Sequence, residues 1–185
     1  MHSGALQKNR QLVLAAIAVA LIAVGSFLRI PLPPIPMTLQ FFFVLLTAHL
    51  LRPLSAGGAM LTYLFLGLSG LPIFSGGGGF GYVLHPTFGY LIGFLFAAMI
   101  VSYAYNHIRK PTFWQVVMCN LAGYVVLYIF GIGYYLLLNI IYFEACVSLW
   151  PILVGCWLIF IPGDLVAIFG SAWISKRLAP RLIGK

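Results

Sequence analysis

The chain carries two carboxylates, Glu144 and Asp164, and four histidines, His2, His49, His85 and His107. These are the side chains on which acid–base or metal chemistry would have to rest. Asp164 follows Pro162-Gly163 and stands between the apolar runs Leu158–Ile161 and Leu165–Phe169. An ionisable group at membrane depth is costly unless it faces a partner or a cavity, so it marks a functional site by default. Asp164 can also cap the last helix by accepting bonds from its first amides, and one carboxylate can do both. Glu144 falls in an outer loop and is expected to be solvated. No second embedded carboxylate is available to form an acid/base dyad with Asp164. The chain has no HExxH, no Cys/His ligand cluster and no Walker A sequence. Cys119, Cys146 and Cys156 lack CxxC spacing and sit among apolar neighbours, as buried thiols do. A site without reactive machinery predicts binding or conduction of a solute, with no enzyme activity, metal or bound cofactor.

Neutral polar and aromatic groups accompany the acid. Thr38 and Gln40 follow a proline cluster, Pro31, Pro33, Pro34 and Pro36. Gly76, Gly77, Gly78 and Gly79 form a glycine run flanked by Phe74, Phe80, Tyr82 and His85. Glycines allow close approach to a ligand, and aromatic residues among them favour a folded cover over a bare tether. Together these groups describe an outward-facing pocket with one acceptor carboxylate and aromatic walls. Small-xxx-small steps occur at Ala16/Ala20 and Gly89/Gly93; they let helices approach closely, either within the chain or against a partner subunit.

The elements that hold these residues follow from composition. Charged residues make up 6% of 185 positions and hydrophobic ones 63%, with mean hydropathy +1.08. A soluble domain carries roughly a quarter charged residues, so this chain cannot build a water-facing surface. The apolar runs are continuous, which predicts a single all-α membrane domain over residues 1–185 and excludes a strand barrel. Six spans are expected, at about 11–28, 38–51, 54–71, 86–105, 112–138 and a final half-length helix from Pro162. A short outer segment precedes that last helix. The first span reads as an uncleaved helix, and the prolines between spans 1 and 2 predict an extended, polyproline-like connection. The net charge of +8 does not predict nucleic-acid binding, because the basic residues flank spans. They read as topology signals and as contacts for anionic lipid of the bilayer. With the N-terminus inside, nine of the ten basic residues fall on the inner side and only Arg29 outside, as an even number of spans requires.

Four ordered motifs carry a resemblance: Pro31-Leu-Pro-Pro-Ile-Pro-Met-Thr-Leu-Gln40, Gly70-Leu-Pro-Ile-Phe74 with the glycine run, Pro86-Thr-Phe-Gly-Tyr-Leu-Ile-Gly93, and Phe160-Ile-Pro-Gly-Asp164. In order and spacing they resemble BioY, the biotin-binding S component of energy-coupling factor (ECF) vitamin transporters. The resemblance covers nearly the whole chain and is weakest from Asn106 to Cys156. It implies a six-helix substrate-binding subunit in the bacterial cytoplasmic (inner) membrane, both termini cytoplasmic, capturing biotin from the outer side. It implies as partners a transmembrane coupling subunit and two cytoplasmic ATPases that use ATP, with Ala16 and Ala20 as the docking face. It also implies Thr38, Gln40, Phe74, Gly76–Gly79, Tyr90 and Asp164 as the binding residues. One departure stands out: the family commonly places a lysine three residues after the aspartate, and this chain has Ala167. Arg29 and the amides at the start of the last helix are the candidate substitutes. The competing readings are an S component for another small vitamin or biotin precursor, and a self-sufficient facilitator with Asp164 lining its path.

Overall fold

A computed structural model describes residues 2–33, 35–141 and 149–183. Its helices are α1 (His2–Phe27), α2 (Gln40–Leu50), α3 (Pro53–Leu68), α4 (Phe88–His107), α5 (Phe113–Ile141), α6 (Leu149–Cys156) and α7 (Ile161–Ile183). Single 3-10 turns lie at Phe80–Leu84 and Leu158–Phe160. Among the described residues, four segments are long and apolar enough to cross a membrane: Gln7–Phe27, Phe88–His107, Phe113–Ile141 and Trp150–Ala179. At 1.5 Å per residue, α2 and α3 span only about 16 and 24 Å, short of a hydrocarbon core of about 30 Å.

The shortness of α2 has a cause at its start. Instead of a polyproline connection, the proline segment forms an antiparallel hairpin in which Arg29 pairs with Thr38 and Ile30 with Met37 (β1, Arg29–Ile30; β2, Met37–Thr38). Prolines at 31, 33 and 36 cannot donate ladder bonds, so pairing is confined to two residues on each side. The Leu39 amide then donates to the Gly25 and Leu28 carbonyls, at 3.1 and 3.0 Å, tying the hairpin to the end of α1. Helix α2 begins below this hairpin. Its run Phe41–Leu46 is apolar on every side because α2 is the central helix, packed on α1, α4 and α7. Pro53 opens α3 in the first-turn position that proline suits.

Helices α4 and α5 form the most extensive pairing. A Cβ on Gly93 would lie 2.8 Å from the Leu127 carbonyl oxygen, and one on Gly89 would meet Tyr134. The Gly89/Gly93 step is therefore internal packing. Ala16 and Ala20, by contrast, are exposed on the outer face of α1. Lower in the bundle the fully buried His49 Nε2 lies 2.9 Å from Asn120 Oδ1, while Asn120 Nδ2 donates to the Ile168 carbonyl (3.0 Å) and Ser171 Oγ (3.1 Å). This polar clamp joins α2, α5 and α7 where apolar contacts alone carry little orientation.

The last hydrophobic stretch divides as expected into a short helix, α6, and a final helix. That final helix is not half-length: α7 runs 23 residues, from Ile161 past Pro180 to Ile183. Glu144 and Cys146 lie outside the described residues. The Arg52 amide donates to Gln11 Oε1 (3.0 Å), and Phe113 stacks on Phe169 with centroids 6.3 Å apart. These contacts gather Lys8, Arg10, Arg52, Arg109, Lys110, Lys176 and Arg177 at one end of the bundle. The hairpin and the glycine run occupy the other.

Candidate functional site

At the hairpin end, six parts of the chain converge on a cavity of about 50 Å³. The hairpin contributes Met37 and Thr38, and the start of α2 contributes Gln40 and Phe41. Ser75 and Thr87 come from the connection between α3 and α4. Tyr90 and Phe94 of α4, Leu127 and Tyr128 of α5, and Phe160 and Asp164 complete the walls. Gly163 brings α7 up to the hairpin: a Cβ there would lie 2.8 Å from Met37 Sδ.

Asp164 lies in the first turn of α7, where a carboxylate also favours the positive end of the helix. Its Oδ2 accepts a 2.5 Å hydrogen bond from the Tyr128 hydroxyl. That length belongs to the short, charge-assisted class of O–H···O⁻ bonds. The bond runs between helices, so Asp164 is not spent on capping its own helix, and its other oxygen remains for the cavity. Tyr128 is held in turn by aromatic neighbours: Tyr90 packs edge-on at 5.8 Å and Tyr124 lies at 4.7 Å. Tyr90 donates to the Cys156 carbonyl (2.8 Å), and Trp157 donates to the Tyr124 hydroxyl (2.6 Å). These two bonds fasten the end of α6 onto α4 and α5.

Opposite Asp164, a second chain of bonds fixes the polar rim. Thr38 donates to Gln40 Oε1 (3.1 Å), Gln40 Nε2 donates to the Tyr63 hydroxyl (2.8 Å), and Tyr63 donates to the Ile73 carbonyl (2.8 Å). Ser26 also donates to that carbonyl, at 2.7 Å. The cover over the cavity is thereby bound to α1, α2 and α3.

The cover is folded, as its aromatic residues predict. Phe74 and Gly77 exchange backbone bonds of 2.9 and 3.1 Å, and the Gly79 amide donates to the Gly67 carbonyl (2.8 Å). Gly77 and Gly79 have φ of 123° and 99°, a region that other residues rarely enter. A Cβ on Gly78 would run into the Leu71 carbonyl oxygen. Beyond the glycines a one-way relay forms: the Gly76 amide donates to the Tyr82 hydroxyl (3.2 Å), Tyr82 lies 2.7 Å from Thr87 Oγ1, and Thr87 Oγ1 lies 2.7 Å from His85 Nδ1. The Thr87 amide also points at His85 Nδ1 (3.3 Å), so that nitrogen is the acceptor and the imidazole is neutral. Partial burial lowers the His85 pKa in the same direction. Tyr134 of α5 closes the cover by donating to the Val83 carbonyl.

Of the residues expected at the site, Thr38, Gln40, Tyr90 and Asp164 line the cavity. Phe74 does not. It is 1% exposed, packed over Gly67 and edge-on to Tyr63 at 5.3 Å, and so anchors the cover from behind. Gly76–Gly79 likewise shape the cover without reaching the cavity wall, and Ser75 reaches it in their place. Tyr128 is the residue the sequence does not flag, since nothing in the apolar run of α5 distinguishes it from its tyrosine neighbours. Ala167 is buried in the core and off the cavity. Arg29 is exposed on the hairpin. Among the described residues no ion pair forms with Asp164, and no basic side chain lines the cavity; a hydroxyl meets the carboxylate instead.

Comparison with known proteins bears on what such a cavity takes. A probable biotin transporter BioY of Lysinibacillus sphaericus is 39% identical over 181 residues, covering 95% of this chain and 88% of its own. The biotin transporter BioY of Thermotoga maritima is 40% identical over 124 residues, 66% of this chain and 72% of its own. The crystal structure of the S component for biotin from an ECF-type ABC transporter superposes with a TM-score of 0.82 at 27% identity, covering 93% of this chain and 92% of that one. Residues 2–183 match the BioY family, and the chain belongs to it.

Proposed function

We propose that this chain is the biotin-capturing S component of an ECF-type vitamin transporter, with Asp164 as the acceptor for the ligand's ureido ring. The observation that carries the reading is the Asp164 carboxylate, held on one oxygen by Tyr128 and facing an aromatic cavity without a basic side chain. The two ureido N–H groups of biotin need a strong, directional acceptor, and a desolvated carboxylate supplies one. Its sulfur ring suits the walls of Phe41, Phe94, Leu127 and Phe160. Its carboxylate tail needs donors: the Ser75 hydroxyl lies on the cavity with only a 3.3 Å contact to Tyr82, and Thr38 and Thr87 become donors once movement of the cover breaks their bonds to Gln40 and His85.

Ligand pockets commonly measure roughly 300–1,000 Å³, so a cavity of about 50 Å³ has to widen to admit a bicyclic vitamin. The element to move is the Ile73–Thr87 cover, tied to α1 and α3 through the Ile73 carbonyl, to α3 again through the Gly79 amide, and to α5 through the Val83 carbonyl. In this reading α2 and α3 complete six spans, both termini are cytoplasmic, and the cover faces outward from the inner membrane. The basic end then meets the cytoplasm, as the positive-inside rule requires. A transmembrane coupling subunit docks on the exposed Ala16/Ala20 face of α1, two cytoplasmic ATPases drive reorientation, and the chain itself catalyses no reaction.

Equilibrium binding to the purified chain in detergent tests the reading: saturable biotin binding that desthiobiotin competes for, and riboflavin and thiamine do not, is expected. Displacement by riboflavin or thiamine would assign another vitamin. Biotin uptake by proteoliposomes holding only this chain would favour the facilitator.

A further inference from the structure

A second cavity, of about 160 Å³, lies at the basic end of the bundle, lined by Gln7, Arg10, Gln11, Leu50, Leu51, Arg52 and Asn106. The groups around it are sorted by polarity. The Gln11 side-chain oxygen accepts the Arg52 amide (3.0 Å), and the Gln7 oxygen accepts the Arg52 guanidinium (3.4 Å). The Leu51 carbonyl takes bonds from Ser102 Oγ (2.6 Å) and Asn106 Nδ2 (3.3 Å). These three acceptors are thus occupied, and the wall also carries the guanidinium groups of Arg10 and Arg52 beside the glutamine and asparagine amides. No carboxylate offsets this charge among the described residues, because Asp164 is at the opposite end of the bundle. A water occupies about 30 Å³ of liquid, so the cavity holds about five such groups, the size of one tetrahedral oxyanion.

The polar cavity adjoins an apolar one. Gln11 is shared with a groove of about 420 Å³ between α1 and α3, walled by Ala15, Ala16, Val19, Gly58 and Ala59. Leu12 and Leu54 also line the groove, 62% and 85% exposed. A basic pocket beside an apolar groove has the two-part shape of a phospholipid.

We propose that Arg10 and Arg52 hold the phosphate of an anionic phospholipid whose acyl chain lies in the α1–α3 groove. The inference rests on the membrane reading above but not on the identity of the transported ligand. Ala16 borders the groove, so a bound lipid and a docked coupling subunit compete for this face.

Native mass spectrometry of the purified chain with added phosphatidylglycerol or phosphatidylcholine tests it, with inorganic phosphate as a competitor. The wild type is expected to retain one phosphatidylglycerol in preference to phosphatidylcholine. The double variant Arg10→Gln/Arg52→Gln should weaken retention roughly 30-fold, as about 1 kcal/mol for each arginine converts. A charge-matched control, Arg109→Gln/Lys110→Gln, should retain the lipid. Gly58→Leu, whose side chain enters open groove space, should weaken lipid retention while leaving the arginines in place. Phosphate that displaces the lipid while Gly58→Leu has no effect would assign the pocket to a free phosphate and overturn the lipid. Equal retention by the double variant, or an equal loss in the control, would overturn the site itself.

Discussion

Asp164→Asn is the most informative single change, because it keeps the shape of the side chain and alters only its charge and one atom. In the native site Oδ2 accepts the Tyr128 hydroxyl at 2.5 Å, and the other oxygen is assigned to the ligand's N–H donors. Asparagine cannot do both. With its oxygen toward Tyr128, its amide N–H₂ faces the donors of the ureido ring. With its oxygen toward the ligand, Tyr128 loses its acceptor and must turn to accept a bond. Either way one bond is lost, and the other falls from the charge-assisted class, about 1.5–3 kcal/mol, to the neutral one, about 0.5–1.5 kcal/mol. The Tyr128 bond is present without ligand, so only the ligand-side loss enters Kd: roughly 1.5–3 kcal/mol, a weakening of roughly 10- to 140-fold. Isothermal titration of biotin into purified variant and wild type, with melting temperatures as a folding control, reads this directly. Asp164→Ala should bind more weakly than Asp164→Asn while still inserting into the membrane. An asparagine variant within threefold of the wild-type Kd, with a normal melting temperature, would refute the carboxylate's role.

Three further outcomes follow from the same geometry. Tyr128→Phe removes the donor that fixes the Asp164 carboxylate, and biotin affinity should fall about tenfold, the value of one such bond at the low end of its range; unchanged titration curves would mean that the carboxylate needs no positioning. Gly78→Ala forces a Cβ into the Leu71 carbonyl and should lower the melting temperature, whereas Gly81→Ala, with open space around it, should not; equal melting curves would contradict the described cover. His85 has its folded pKa depressed, so the neutral cover is fully stable above the unfolded value of roughly 6.5 and loses stability as pH falls below it, where the unfolded chain binds a proton that the folded cover resists. Melting temperature should therefore drop more steeply between about pH 7.5 and about pH 5.5 in wild type than in His85→Gln, and parallel curves would remove His85 from the relay.

How far the sequence reveals this site depends on whether each feature has a local chemical signature. Asp164 has one, as a lone acid between apolar runs, and the basic residues that gather at one end have another. Thr38 and Gln40 are legible because they follow prolines that must end a helix. The hairpin itself is not, since a two-residue ladder among prolines leaves no alternating pattern. Phe74 is a different case: an aromatic beside a glycine run reads as a cavity wall, while Gly67 lacks a side chain and lets the ring sink behind the cover. Tyr128 escapes detection because its significance is a contact across 36 positions, made between helices that are apolar all round. Helices of that kind carry no periodicity to say which face is inward. The final helix exceeds its expected length for a related reason, because the Pro-Gly start signal says where it begins and nothing local says where it ends.

The most direct test of the account is a structure of this chain with biotin bound. The account predicts the ureido nitrogen within about 3 Å of the Asp164 oxygen not engaged by Tyr128, with the cover displaced to enlarge the cavity. A ureido ring bound away from Asp164, or the ligand's carboxylate tail at the α7 end of the cavity, would contradict it.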